Sequence, residues 1–136
     1  IGVFLTLIWV EKIKRETSFE AFKGLAKTEP IAAVATAVSL LSMAGIPLTA
    51  GFVAKFSIFA QAMNGAAFLV LIAVIGSALS IAYYLRLIIS MFFHKESSFK
   101  TSEKMSITYN IVAIFIIVAI LALGIYPDLF KMQFGL

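Results

Sequence analysis

Between Pro30 and Met63 the single ionisable side chain is that of Lys55. It stands four residues beyond a segment, Gly45-Ile-Pro-Leu-Thr-Ala-Gly51, whose residue types interrupt a helix. A charged, unpaired lysine at lipid depth costs several kcal/mol, and such side chains face a bundle interior or a wet cavity. Desolvation disfavours the charged form of an amine and an approaching carboxylate restores it, so a lysine whose neighbours can change is a proton switch. The competing reading is a side chain that stretches to the headgroups. Lys55 lies nine residues before Asn64, about 13 Å along a helix, whereas a lysine stem reaches roughly 6 Å. That reading therefore needs a tilted or shallow helix.

Other polar side chains could extend a path from Lys55. Ser42, Thr49 and Ser57 flank it in sequence, and Ser39, Ser77 and Ser80 share its apolar surroundings. Small hydroxyl residues can line a water chain, but they are also the usual contacts between helices in lipid, and the sequence leaves both roles open. Arg86, behind Tyr83 and Tyr84, can reach the headgroups from eight residues before His94; pairing within the membrane is the alternative. His94 reads as a surface residue at the membrane edge, and Glu29 as a carboxylate placed at a helix N-terminus, a proton entrance being the alternative.

Several classes of chemistry are excluded. The chain has no cysteine and one histidine, so it supports neither a disulfide nor an iron–sulfur cluster, and no metal or haem site of its own. It has no phosphate-binding glycine loop, no nucleophile beside a base, and no carboxylate pair at catalytic spacing. The net charge is +4, and nine of the eleven lysines and arginines sit in the connections between apolar runs or in the tail, where membrane topology accounts for them without nucleic acid.

The elements that position Lys55 are membrane helices. With 62% hydrophobic and 13% charged residues among 136, the composition is that of an all-α integral membrane protein, a multi-pass helical bundle. Ile1–Val10 reads as the end of a helix whose beginning lies elsewhere, and Trp9 suits a membrane–water interface. Glu11–Glu29 is a solvent-side connection. In it, Phe19, Phe22, Leu25 and Ala26 recur at helical spacing, so the segment is either a short amphipathic surface helix or a solvated loop. Thr28-Glu-Pro30 is a helix start, with a capping hydroxyl and proline in the first turn.

The run Pro30–Met63 would measure about 50 Å as one helix against a hydrocarbon core of roughly 30 Å. Pro47 lacks the N–H that would bond the carbonyl of Met43, and Gly45 and Gly51 admit backbone angles that other residues resist. A discontinuous transmembrane helix follows, and irregular backbone at that depth requires a protein or aqueous surround. Gln61–Ala66 is an uncharged turn, and Ala67–Phe93 and Met105–Ile125 are further spans. Of the basic residues, five fall in Glu11–Glu29, none in Gln61–Ala66, three in His94–Lys104 and one, Lys131, near the end. The two basic connections therefore share the cytoplasmic side.

These residues carry a resemblance. Leu40-Leu-Ser-Met-Ala-Gly-Ile-Pro-Leu-Thr-Ala-Gly-Phe-Val-Ala-Lys-Phe-Ser-Ile-Phe59 resembles the broken-helix signature of the subunit N family of proton-pumping NADH–quinone oxidoreductase, respiratory complex I. Lys23-Gly-Leu-Ala-Lys27 with Pro30, and Ser77-Ala-Leu-Ser-Ile-Ala-Tyr-Tyr-Leu-Arg86, are similar to the segments on either side. The family pattern commonly has a second proline and a glycine where this chain has Leu48 and Ala54.

The resemblance implies the C-terminal part of an antiporter-like subunit in which Lys55 belongs to a proton relay coupled to electron transfer from NADH to quinone. It implies no redox group in this chain, with NADH, FMN, iron–sulfur clusters and quinone on other subunits. It also implies other membrane subunits as partners, together with the lipid bilayer and protons, and the cell inner (plasma) membrane in preference to an organellar one. Two rivals remain at this point: a subunit of a multi-subunit sodium/proton antiporter or membrane-bound hydrogenase, and a membrane scaffold in which Lys55 pairs statically.

Overall fold

A computed structural model describes residues 1–15, 18–93 and 105–126. Five α-helices follow in order: α1 (Gly2–Lys14), α2 (Leu25–Thr28), α3 (Pro30–Ala44), α4 (Ala50–Phe93) and α5 (Ile107–Ile125), with a 3-10 turn at Phe19–Phe22 before α2. The described residues hold no strand. α3 begins with Pro30 at its first turn, where the missing N–H is no loss. It packs against α1, α2, α4 and α5 and is the element on which the rest are assembled.

As one straight rod, α4 would measure about 66 Å from its 44 residues. It does not run straight. Ala66 has φ −145 and ψ 41, outside the helical region, and Lys55 and Ser77, each eleven residues from Ala66, are hydrogen-bonded to each other. The chain therefore reverses at Ala66, and α4 is two antiparallel helical arms joined at one non-helical residue. The uncharged turn expected over Gln61–Ala66 narrows to that single position, because Gln61–Gly65 stay helical.

The best-packed region lies at one end of the bundle. Trp9 and Val10 of α1, Ala21 and Phe22, Leu25 of α2, Ala32, Ala33 and Ala37 of α3, and Met91 of α4 meet there with Met105. Phe93 and Met105, which flank residues 94–104, and the Glu11–Glu29 connection thus belong to the same end, in agreement with the distribution of lysine and arginine. His94 itself, like Lys131, lies outside the described residues. Trp9 is buried at this end of the bundle.

Neither reading of the Phe19–Ala26 stretch describes what forms. Gly24 at φ +73 separates the 3-10 turn from α2, and Phe22 and Leu25 point into the bundle end. Thr28 likewise does not cap α3: its hydroxyl donates back to the carbonyl of Leu25 at 3.2 Å. Glu29, 8% exposed, stands at the start of α3 and makes no cap there. Its Oε1 instead accepts the backbone N–H of Met105 at 2.9 Å, from 76 residues away.

A second polar tie joins α1 to α3. Thr36 Oγ1 is 2.7 Å from Thr6 Oγ1 and 2.8 Å from the carbonyl of Ala32, and both threonines are buried. Both arms of α4, and α5, turn many large apolar side chains outward, Phe68, Leu79 and Phe115 each 72% exposed. Faces of this extent belong against lipid or neighbouring helices, and α4 and α5 are long and apolar enough to cross a membrane. The chain is an all-helical, multi-pass integral membrane protein with one discontinuous span.

The tie at Glu29 yields an expected outcome. Glu29→Ala leaves the buried Met105 N–H without its acceptor, a loss on the order of 1–3 kcal/mol, whereas Glu29→Gln retains a carbonyl oxygen and most of the stability. Thermal unfolding of the detergent-solubilised full-length protein measures both; equal midpoints for Glu29→Ala and the parent would refute the assignment.

Candidate functional site

In α3 the last turn closes by backbone geometry. Gly45 takes φ +88, its N–H donates to the carbonyls of Leu41 and Ser42 at 3.1 and 3.0 Å, and Ile46 N–H donates to Leu41 O at 3.1 Å. This is the paired pattern of a Schellman ending, which glycine adopts most readily at its left-handed position. The helix thus stops at Ala44 because of Gly45, and Pro47, exposed in the following turn, keeps it from resuming.

Side chains complete the break. Thr49 Oγ1, buried, donates to Ile46 O at 2.7 Å. Ser42 Oγ, buried on α3, accepts the Gly51 N–H at 3.0 Å, capping the first turn of α4 from a neighbouring helix end. A contact between residues nine apart places the start of α4 beside the last turn of α3, not end to end with it. Glycines make that proximity available: a Cβ on Gly51 would collide with the Ser42 carbonyl, and one on Gly124 of α5 with the Leu48 carbonyl. Leu48 takes φ +72, a left-handed conformation that costs a non-glycine residue about 1–2 kcal/mol and is closed to proline.

Lys55 leans across this break. Its stem passes over Gly45, where an added Cβ would lie 3.2 Å from Lys55 Cδ. Its Nζ donates to the Ala44 carbonyl at 3.3 Å and to Ser77 Oγ at 3.1 Å. The first acceptor is one of the carbonyls a helix C-terminus leaves without an intrahelical partner, and a cation there also meets the negative end of the helix dipole. The second lies across the α4 hairpin.

Lys55 is half-buried, and neither of its contacts is a headgroup-directed one. The residues singled out by sequence divide accordingly. Gly45, Gly51, Ser42 and Thr49 build the break, while Ser57 is exposed and bonded to its own helix at Val53 O, 2.8 Å away. Arg86 is exposed, nine residues past Ser77 and about 13 Å further along the arm. Ser80 bonds to Gly76 O at 2.9 Å, and Ser39 is buried without a partner. Ser77 was not separable by residue type from the other serines. The available signal was positional, since a hairpin pairs residues equidistant from its turn.

The family model described as NADH:quinone oxidoreductase/Mrp antiporter, transmembrane, matches residues 1–80. NADH-quinone oxidoreductase subunit N of Cytophaga hutchinsonii is 38% identical over all of this chain and 29% of that protein. F(420)H(2) dehydrogenase subunit N of Methanosarcina mazei is 38% identical over 82% of this chain and 23% of that protein. A solved structure of respiratory complex I from Thermus thermophilus with bound aureothin contains a chain that matches with a TM-score of 0.75 at 28% identity, covering 94% of this chain and 32% of that one. The chain spans less than a third of the length of these relatives.

The glycines divide into two testable classes. Gly51→Ala and Gly124→Ala force backbone apart at the break and should lower the unfolding midpoint. Gly65→Ala and Gly76→Ala, where an added Cβ meets nothing within 4 Å, should leave it unchanged or raise stability by about 0.5–1 kcal/mol through helix propensity. Equal effects across the four, in detergent-solubilised full-length protein, would contradict the packing described.

Proposed function

We propose that this chain, which belongs to the NADH:quinone oxidoreductase/Mrp antiporter transmembrane family, is part of a subunit-N-type component of the membrane arm of a proton-pumping oxidoreductase, and that Lys55 is one of its proton-carrying groups. The observation that carries the reading is the seat of Lys55: an amine at a helix break, inside an apolar bundle, held by two neutral acceptors. Among the described residues no carboxylate is hydrogen-bonded to it. The discontinuous helix contributes backbone carbonyls and exposed helix ends, the device by which transport proteins present polar groups at membrane depth.

In this reading redox energy is released on other subunits, where NADH, FMN, iron–sulfur clusters and quinone reside. It reaches this subunit as a change in the surroundings of Lys55, which then gives up or takes on a proton. Ser42 and Thr49 keep the break in shape, and Gly45, Pro47 and Gly51 make it. Further titrating groups and the partner membrane subunits belong to the rest of the assembly, in the plasma membrane of a bacterium. The named relatives support subunit N of an oxidoreductase over a stand-alone antiporter subunit, and the relative from Methanosarcina mazei, named for F(420)H(2), leaves the electron donor to the other subunits.

Two substitutions in the assembled complex test the role of Lys55. Lys55→Ala removes the proton carrier. Lys55→Arg keeps a cation and its donors but effectively cannot deprotonate. Both should give assembled complexes whose proton pumping, followed by dye quenching in membrane vesicles, falls at least threefold. A scaffold would instead tolerate Lys55→Arg, and full pumping by that variant would overturn the relay.

A further inference from the structure

An ammonium offers three N–H bonds. In the charged form of Lys55, Ala44 O takes one and Ser77 Oγ another, and the third has no partner among the described residues. The two acceptors differ in kind. A carbonyl oxygen can only accept, whereas a hydroxyl both accepts and donates, and it changes between them by rotating its proton about the Cβ–Oγ bond. Ser77 accepts from Lys55 and makes no bond to its own helix, unlike Ser57 and Ser80, whose hydroxyls are engaged with Val53 O and Gly76 O. Its proton is therefore free to turn.

We propose that Ser77 is a positioning residue that keeps Lys55 in its seat in both protonation states, by reversing the direction of their hydrogen bond when the proton leaves. In the charged state the lysine N–H donates to Ser77 Oγ. When one proton passes from Nζ to a water molecule, leaving a neutral amine and a hydronium, the amine acquires a lone pair. Rotation about Cε–Nζ turns that lone pair to Ser77, whose hydroxyl now donates to it, and a remaining N–H stays on the Ala44 carbonyl. The contact survives the loss of charge, so the proton can return to the same place. With a residue that only accepts, or that has no polar atom, the neutral amine would have no donor from the chain for its lone pair and would lose that hydrogen bond.

Among the described residues no other ionisable group is hydrogen-bonded to Lys55. α3 carries none. The elements packed on α4 bring Glu20 from the 3-10 turn, Lys27 from α2 and Tyr109 from α5, and α4 itself has Tyr83, Tyr84 and Arg86; none is hydrogen-bonded to Lys55. Of the two described partners of the amine, the Ser77 hydroxyl is the one able to match both of its forms.

The inference rests on Lys55 carrying a proton, so the experiment keeps the two separable. Ser77→Ala, Ser77→Thr and Lys55→Ala are placed in the full-length subunit of the assembled complex, and subunit content, electron transfer and proton pumping are measured across pH 6 to 9. Ser77→Ala should assemble, pump at least threefold less and show a displaced pH profile; Ser77→Thr, with its hydroxyl retained, should pump within twofold of the parent with the profile unmoved. Impaired Lys55→Ala beside fully active Ser77→Ala overturns the role of Ser77 alone. Failure of Ser77→Ala to assemble, or equal impairment by Thr and Ala, overturns it too, as a packing role. Fully active Lys55→Ala removes the premise instead.

Discussion

Inside a bilayer a helix that stops must find partners for its last carbonyls without water to supply them. α3 stops at Ala44, and partners within the chain meet the carbonyls of Leu41, Ser42 and Ala44 and, just past the helix, that of Ile46. Gly45 and Ile46 close on Leu41 and Ser42 through their N–H groups, Thr49 returns a hydroxyl to Ile46 O, and Lys55 reaches back to Ala44 O. The need runs in both directions. The amine is tolerable at this depth because a helix end offers it an oxygen, and the helix end is tolerable partly because the amine is there. Removing the charge and removing the break are therefore not independent changes, which is why an arginine in place of Lys55 says more about proton movement than an alanine does.

The break also demands proximity, and the glycines grant it where backbone meets backbone. Gly51 lets the start of α4 lie beside the end of α3, and Gly124 lets α5 close over the carbonyl of Leu48. Gly45 has a double duty, turning left-handed to end the helix and leaving room for the lysine stem. Leu48 is the exception, holding φ +72 with a full side chain. Its strain is supported by the elements packed around it, a common condition for irregular backbone at functional positions.

Much of this is legible in sequence because it depends on rare residue types. One charge in an apolar run and a Gly-x-Pro cluster stand out against a background of alanine, leucine and isoleucine, and they locate the interruption and the lysine together. What is not legible depends on distance through space. Ser77 is one serine among several until the reversal at Ala66 sets it opposite Lys55. The Thr6–Thr36 contact spans 30 residues and the Glu29–Met105 contact 76, and no local pattern announces either. Glu29 shows the limit clearly: its place at a helix N-terminus, one residue before an opening proline, is readable, but the bond it accepts from the Met105 N–H is not.

The seat of Lys55 is assembled from three stretches: the end of α3, the first arm of α4 and, past the reversal, the second arm. Its two acceptors belong to different helical segments, so a displacement of one segment against another changes the hydrogen bonding of the amine without altering any residue near it. A hydrogen bond to a charged group is worth roughly 1.5–3 kcal/mol, about one to two powers of ten in an equilibrium constant. Sub-ångström shifts between packed helices suffice to make or break such a bond, whose strength falls steeply with distance and angle. A mechanical change arriving through the helices can therefore act on a proton at this position through hydrogen bonding alone. That follows from the amine being bound across a junction between segments and not along a single helix.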